Sequence, residues 1–539
     1  MIVMPWTVQV VVVLLAMVLL RGVEGMKSGS EPCHDVVVTA LGSIRGVCNG
    51  SFSDMPFRVF KGIRYGASTG GSNRFMPPIA AAPWKPATLD ATAYGWGCIQ
   101  TDHNPDVPKN QSEDCLFLNV WTPYGAEAGD KLPVTFFIHG GTFKEGAGSL
   151  YGGGGIAGIH NNILVTINYR LGPPGWVVTG PIKGNMGLQD QLLALAWVND
   201  HIAAFGGDAS KITIQGESAG AMSVGIHLTS PAARGLFSKA IMESNVAGYR
   251  YRDAKAQAVY GRAFAKDLGC AADDLVCMQQ APVAALDAAT RKAAQDPVAF
   301  IFANPTHPLD GFIQWEPTVG TELFPEQVLD ALAAGHYDPS VPILMGTNAQ
   351  EAVAFLGTTN ISGIEYEAAL DIIFGPLHAH EIKSHPQYAP PKAGESATFI
   401  FSRVLTDYWF ECPSLAYAAH FKAAYVYLYN HLLSFNPFGH YLPQCVDYVC
   451  HGEELALVFR GELFGQWFTL PPVDLSLSER MIDYWTAFAT SGSVNTGSGV
   501  GFEWPSLVAS AKRIVFNDTL ATESLPSVCA MWDKFGYNH

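Results

Sequence analysis

From about residue 133 onward, apolar runs and amphipathic stretches alternate along the chain. Residues 134–138 and 163–168 are dominated by Val, Ile, Leu and Phe, the pattern of strands buried on both faces. Residues 188–205 put Leu188, Leu192, Leu195, Trp197, Val198 and Ile202 on one broad helical face, and Gly206-Gly207 closes that helix. Residues 211–215 predict a strand running into Gly216, and after Gly220 the pattern turns helical again. Residues 240–243, 341–345 and 425–429 predict later strands. Such alternation implies a large, mostly parallel central sheet flanked by helices, an α/β fold. Ahead of it, Val36–Thr39 and residues 44–47 flank Leu41-Gly42-Ser43 as a hairpin, predicting a small N-terminal antiparallel sheet. No repeat, low-complexity tract or Pro/Ser/Gly linker divides residues 26–539, which are expected to form one domain.

The N-terminus departs from this pattern. Residues 8–20 are almost unbroken Val, Leu, Ala and Met, and Val23-Glu24-Gly25 offers small residues for cleavage after Gly25. The region before the run lacks Lys and Arg, and Arg21 follows it, so an uncleaved anchor is the alternative. The run is short for about 30 Å of hydrocarbon, which favours a signal peptide over residues 1–25 and export. Ten cysteines, an even number, read as five bridges in an oxidising compartment. Glycosylation acceptors begin at Asn49, Asn110, Asn360 and Asn517; Asn304 is followed by Pro305 and does not qualify. The net charge of −16, without a Lys/Arg cluster, argues against a nucleic-acid partner and suits a soluble surface.

The candidate chemistry sits at Gly216-Glu217-Ser218-Ala219-Gly220, where a strand enters, a sharp turn carries Ser218, and a helix leaves. A serine hydroxyl needs a base, and the base needs a carboxylate that fixes its tautomer. In a strand–turn–helix serine hydrolase the chain order is Ser, Asp or Glu, then His. His451 is the candidate base: it follows Cys450 and heads Gly452-Glu453-Glu454, where a helical pattern begins. Glu351 is the candidate acid, after a strand at 342–345 and a loop Gly346-Thr347-Asn348; Asp310 and Glu316 are rivals without that setting. The loop His139-Gly140-Gly141-Thr142 follows a strand and is suited to an oxyanion hole, completed by the N–H of Ala219. No cofactor is required by this chemistry, and the expected partner is a small-molecule or lipid ester.

These residues sit within longer segments: Ser112-Glu113-Asp114-Cys115-Leu116-Phe117-Leu118-Asn119-Val120-Trp121, Asn168-Tyr169-Arg170, Phe205-Gly206-Gly207-Asp208, His451-Gly452-Glu453-Glu454 and Tyr484-Trp485-Thr486-Ala487-Phe488-Ala489. With them the chain resembles the type-B carboxylesterases, the group of cholinesterases and bile-salt and fungal lipases, from about Val36 to Tyr537. The resemblance implies an α/β-hydrolase fold, a Ser218–His451–Glu351 triad, and oxyanion donors at Gly141, Thr142 and Ala219. It places Glu217 and Ser244 near the site. It implies the bridges Cys98–Cys115, Cys270–Cys277 and Cys412–Cys529, with Cys445–Cys450 similar to a bridge beside the catalytic His of some members; Cys33–Cys48 remains.

The chain departs from the family at four points. Thr142 stands where most members have Gly or Ala, Ala349-Gln350 precedes Glu351 where many have Lys-Asp, and Asn245 follows Ser244 where Gly is usual. The Cys98-to-Cys115 loop contains no Trp, which argues against a choline-binding cation–π site. His378, His380 and His385 form a cluster that reads as a solvated loop rather than zinc ligands. Some family members are inactive adhesion or structural proteins, the alternative to an esterase; they usually lack a triad residue, and this chain carries all three.

Overall fold

An eleven-stranded sheet organises the molecule. The computed structural model describes residues 35–49, 56–100, 107–292, 313–357, 359–392, 394–497 and 499–537. In chain order the strands are β1 (Val47–Asn49), β2 (Phe57–Arg64), β3 (Phe117–Pro123), β4 (Leu132–Ile138), β5 (Ile163–Ile167) and β6 (Gly207–Glu217). They continue as β7 (Lys239–Glu243), β8 (Ile343–Asn348), β9 (Ala424–Tyr429), β10 (Lys512–Phe516) and β11 (Ala521–Ser524). Across the sheet they lie in the order β11-β10-β9-β8-β7-β6-β4-β5-β3-β2-β1. From β10 to β5 every pairing is parallel, and the pairings at the two ends are antiparallel.

The central strands are mainly apolar because both faces are covered; every residue of β5, β7 and β8 is buried, including the polar ends of β7 and β8. Alternation assigns them to two cores. Phe136, Val165, Met242 and Met345 face one, which also takes Leu188, Leu195 and Val198 of helix α1 (Met186–His201) and Val224 and Ile226 of helix α2 (Ala219–Thr229). Phe137, Leu164, Ile241 and Leu344 face the other, with Leu477, Met481, Trp485 and Phe488 of helix α3 (Pro472–Ser491). Each such side chain contributes about 1.5–3 kcal/mol by burial.

The local differences from expectation have physical causes. The helix expected over 188–205 is α1 followed by a 3-10 turn, Ile202–Phe205, and Gly206 ends it at φ 93°. Gly346-Thr347-Asn348, expected as a loop, is the end of β8. Gly346 there marks a close approach, because a Cβ would stand 2.3 Å from the Tyr427 ring. The N-terminal hairpin pairs Val36–Thr39 with Gly42–Arg45, but Thr88–Asp90 joins in parallel, so the small sheet is mixed rather than antiparallel. The run expected over 44–47 splits at Gly46, where the chain leaves this sheet and enters the large one as β1. Phe60 lies against that crossing, 2.5 Å from where a Cβ of Gly46 would sit.

The structure contains the bridges Cys98–Cys115, Cys270–Cys277, Cys412–Cys529 and Cys445–Cys450. Cys48 is also disulfide-bonded, while Cys33 and the apolar run at 8–20 lie outside the described residues. Among the described residues, no helix is long and apolar enough to cross a membrane. His378 stacks on Phe535 at 4.3 Å and His385 lies 5.3 Å from the Tyr388 ring, so these two histidines pack against aromatic rings.

Candidate active site

The sheet order reverses around β4: β5 lies on one side and β6 on the other. Ligands of open α/β sheets bind at such a switch point, outside the C-terminal ends of the strands. The loop after β4 and the turn after β6 both open there onto a cleft of about 280 Å³.

At the end of β6 the backbone turns through Ser218 at φ 55°, ψ −123°, and α2 starts at the next residue. A non-glycine residue holds such angles only when its surroundings fix it. Here the Ser218 N–H donates to the Glu243 carbonyl at 3.0 Å, tying the turn to β7. The flanking glycines are steric necessities. A Cβ on Gly216 would lie 2.4 Å from the Gly220 carbonyl carbon, and one on Gly220 would lie 1.9 Å from the Ile138 oxygen. The result is a hydroxyl at the cleft floor above the positive end of α2, whose first N–H groups, that of Ala219 included, have no acceptor within the helix.

The loop after β4 runs beside Ser218. Gly141 (φ 101°), Thr142 (φ 51°) and Phe143 (φ 59°) are left-handed in succession. Phe143 anchors this turn: its ring packs edge-on against Trp176 at 5.0 Å and its carbonyl accepts from Gly172 N–H and Trp176 Nε1. His139 is buried, stacked on Tyr169 at 4.4 Å, and its Nδ1 lies 2.8 Å from the Gly140 oxygen. Burial pushes its pKa down to about 4, so it is a neutral prop. Gly140 leaves room for Glu217: a Cβ there would meet Glu217 Oε2 at 2.5 Å. Thr142 lines the cleft and also a tight cavity behind Ser218.

His451 enters from the far side, its ring set against Phe355 (4.8 Å) and Phe410 (5.3 Å). Its Nδ1 lies 2.6 Å from Glu351 Oε2, while Glu351 Oε1 accepts the Asn348 N–H at 2.7 Å. Both carboxylate oxygens are thus committed, which fixes the tautomer carrying the proton on Nδ1. His451 Nε2 lies 3.1 Å from Glu217 Oε1 but outside hydrogen-bond geometry, and has no hydrogen-bond partner among the described residues. Ser218 and His451 line the same cleft. Of the rival carboxylates, Glu316 is consumed by an ion pair with Arg252 at 3.1 Å, and Asp310 lies outside the described residues.

Beside this pair lies a group of buried carboxyls, of which sequence reasoning placed only Glu217 near the site. Glu243 accepts from Gln215 Nε2 (2.9 Å) and Trp485 Nε1 (2.8 Å), and burial raises its pKa to about 7. Glu454 accepts from Asn348 Nδ2 and, at 3.3 Å, from Ser244 Oγ. Burial first, then Glu351 and Glu217, push its pKa well up. Glu453 caps the Cys450 N–H at 2.9 Å, with its pKa raised by burial to about 9. Glu217 is raised well above the usual carboxylate range by burial, then by Glu351 and Glu243. The one sequence signal was acidic residues inside otherwise apolar segments, such as Glu243 after Ala-Ile-Met.

A strand-borne elbow serine, a glycine-rich loop and a His–Glu pair at a switch point define an enzyme site of the α/β-hydrolase fold. The carboxylesterase family matches residues 34–524. Among curated relatives, the cAMP-regulated D2 protein of Dictyostelium discoideum is 34% identical over 90% of this chain and 89% of its own length. The para-nitrobenzyl esterase of Bacillus subtilis is 30% identical over 91% of this chain and 96% of its own. A solved thermophilic pNB esterase superposes with a TM-score of 0.77 at 29% identity, covering 93% of this chain and 100% of that one. The chain belongs to the carboxylesterase family and is a carboxylic ester hydrolase.

Proposed function

We propose that the protein is a secreted serine esterase working through an acyl-enzyme on Ser218. The observation that carries this reading is the His451 Nδ1–Glu351 Oε2 contact of 2.6 Å in the cleft that Ser218 lines. Ser218 Oγ attacks the ester carbonyl while His451 Nε2 takes its proton, then delivers it to the leaving alcohol. Glu351 holds the Nδ1–H and stabilises the imidazolium. The N–H groups of Gly141, Thr142 and Ala219 receive the oxyanion. Water then attacks the acyl-enzyme with His451 again as base, releasing the acid.

Glu217 fits this scheme as a neutral neighbour. A charged carboxylate 3.1 Å from Nε2 would hold the imidazolium away from the leaving group. Burial, then the adjacent Glu351 and Glu243, push its pKa up and so favour the protonated form.

Residues 1–25 as a signal peptide, residues 26–539 as one domain, and glycans on Asn49, Asn110, Asn360 and Asn517 complete the reading. Disulfides in the structure support an oxidising destination. Replacing Ser218 by Ala is expected to lower turnover of a p-nitrophenyl ester by about 10⁴-fold or more while leaving the thermal midpoint within a few degrees. Unchanged turnover, or a wild-type protein that a fluorophosphonate probe leaves unlabelled, would favour an inert adhesion or structural protein instead.

A further inference from the structure

Three cavities share walls in series, starting at Ser218. On one side is the open cleft of about 280 Å³. Behind the serine is a tight apolar neck of about 10 Å³, walled by Met222, Val246, Phe355 and Trp409. Beyond the neck lies a third cavity of about 180 Å³, lined by Met222 and Gly225 one and two turns along α2 from Ser218. Thr142, Ser218 and Phe355 wall both the cleft and the neck, and Met222, Val246 and Tyr249 wall both the neck and the third cavity.

The third cavity has a polar point at Gly225. A Cβ placed on Gly225 would have Asn245 Nδ2 and Tyr417 Oη each 3.8 Å away, so two donors converge over a bare stretch of helix. Tyr417 is fully buried and its hydroxyl has no hydrogen-bond partner among the described residues. Asn245 is 3% exposed, and among the described residues its amide nitrogen donates only a long 3.7 Å contact to the Met242 sulfur, a weak acceptor. Native proteins seldom leave such groups unpaired in their interior. At the rim of this cavity Arg250 is paired with Asp330 at 3.2 Å, so its charge is balanced and the cavity calls for a neutral acceptor rather than an anion.

We propose that this cavity is a distal acyl subsite for chains that carry an oxygen, a hydroxyl or an oxo group, towards their far end. The proposal rests on the esterase reading and names its substrate class. The apolar neck accepts methylene groups from the ester carbonyl onward, and Asn245 and Tyr417 then donate to the distal oxygen above Gly225. A glycine at 245, usual in the family, supplies no amide there. A plain alkyl chain would leave both donors dehydrated and unpaired, which is how a site discriminates against an analogue lacking the oxygen.

The test is a set of p-nitrophenyl esters with one leaving group and graded acyl length, in matched pairs with and without the distal oxygen. The wild type is expected to favour the oxygenated member by about tenfold in kcat/KM at one chain length. Tyr417→Phe and Asn245→Gly should each shrink that ratio, and the double variant should bring it to about one. Gly225→Ala, which fills the space above the helix, should shrink it too. Because each ratio is taken within one preparation, a loss of folded protein does not imitate the effect. Equal rates in the wild type at every length would mean that the cavity holds water only and would overturn the subsite, as would a ratio that survives the double variant. Turnover of the acetate ester that depends on Ser218 separates those failures from failure of the esterase reading. Turnover that survives Ser218→Ala sinks that reading and the subsite with it.

Discussion

Ser218 and His451 face the same cleft, yet they are held there by different means. Ser218 is fixed by backbone: a strand buried between β4 and β7, a turn at φ 55°, and a helix that approaches the end of β4 too closely for any side chain at residue 220. His451 belongs to no strand and is fixed by side chains gathered from distant segments. Glu351 holds its ring, Phe355 and Phe410 flank it, and Asn348 and Glu453 grip the backbone of Cys450 beside it. A backbone device is intolerant of substitution because there is no rotamer to relax. A side-chain device has several ties, each of which can be lost at modest cost, but it concentrates buried charge. Substitutions in the two regions should therefore fail in different ways.

The largest effect is expected at the elbow. In Gly220→Ala the new methyl would overlap the Ile138 carbonyl oxygen at 1.9 Å; that oxygen is backbone, and a Cβ has no rotamer that avoids it. Separating α2 from β4 should cost about 4 kcal/mol, in the range of severe core lesions. It should also displace Ser218 from the loop after β4. Gly225→Ala, five residues along the same helix, meets nothing nearer than 3.8 Å and replaces a poor helix former, so it should be neutral or stabilising by up to about 1 kcal/mol. Chemical denaturation of the two variants measures the difference. Equal midpoints would show that the elbow relaxes and that the backbone contrast is unsound.

The acidic cluster gives the next effect, and its sign follows from linkage. Glu243 has a folded pKa raised by burial from 4.5 to about 7. The native state therefore holds a proton that the unfolded chain releases above about pH 4.5. The stability this group contributes is intact below that pH and is lost as the pH rises through about 7. Glu243→Gln keeps an acceptor for Trp485 and cannot ionise, so it should remove that loss. It should be as stable as the wild type, or slightly less, near pH 4, and more stable by about 3 kcal/mol near pH 8. Urea titrations at the two pH values decide it, and parallel pH profiles for the two proteins would refute the assignment.

The same division explains what could be read from the sequence. The elbow was legible because its constraints act between neighbours in the chain: glycines at 216 and 220 mark where a Cβ has no room, and the apolar run before them marks the buried strand. The loop at 139–142 was legible for the same reason. Gly346 was misread because a glycine looks alike in a turn and beneath an aromatic ring, and the ring, Tyr427, is eighty-one residues away. The grip on His451 was legible only in outline. Ser244 was placed near the site, but its partner Glu454 lies two hundred and ten residues on, and Asn348 looked like an ordinary turn residue. Tyr417 gave no signal, since a tyrosine in an apolar helix usually reports only burial.

The smallest effect tests how many ties hold His451. Cys445–Cys450 closes a short loop, with a sequence separation of only 5, immediately before the histidine. Loop-closure entropy for so short a ring is worth about 2 kcal/mol at most. Were the bridge the sole positioning device, its loss would release His451 and turnover would collapse. But the Cys450 carbonyl still accepts from Asn348 Nδ2 at 2.7 Å, its N–H still donates to Glu453, and Glu351 still holds the ring. The double replacement Cys445→Ser, Cys450→Ser should therefore lower kcat by only about tenfold, the cost of a slightly loosened base, with KM for a short ester little changed. A loss approaching that of Ser218→Ala would mean that the bridge alone positions the imidazole. In that case His451 would depend on a single covalent constraint, as Ser218 depends on its turn, and the contrast between backbone and side-chain control would fail at the residue where it is drawn most sharply.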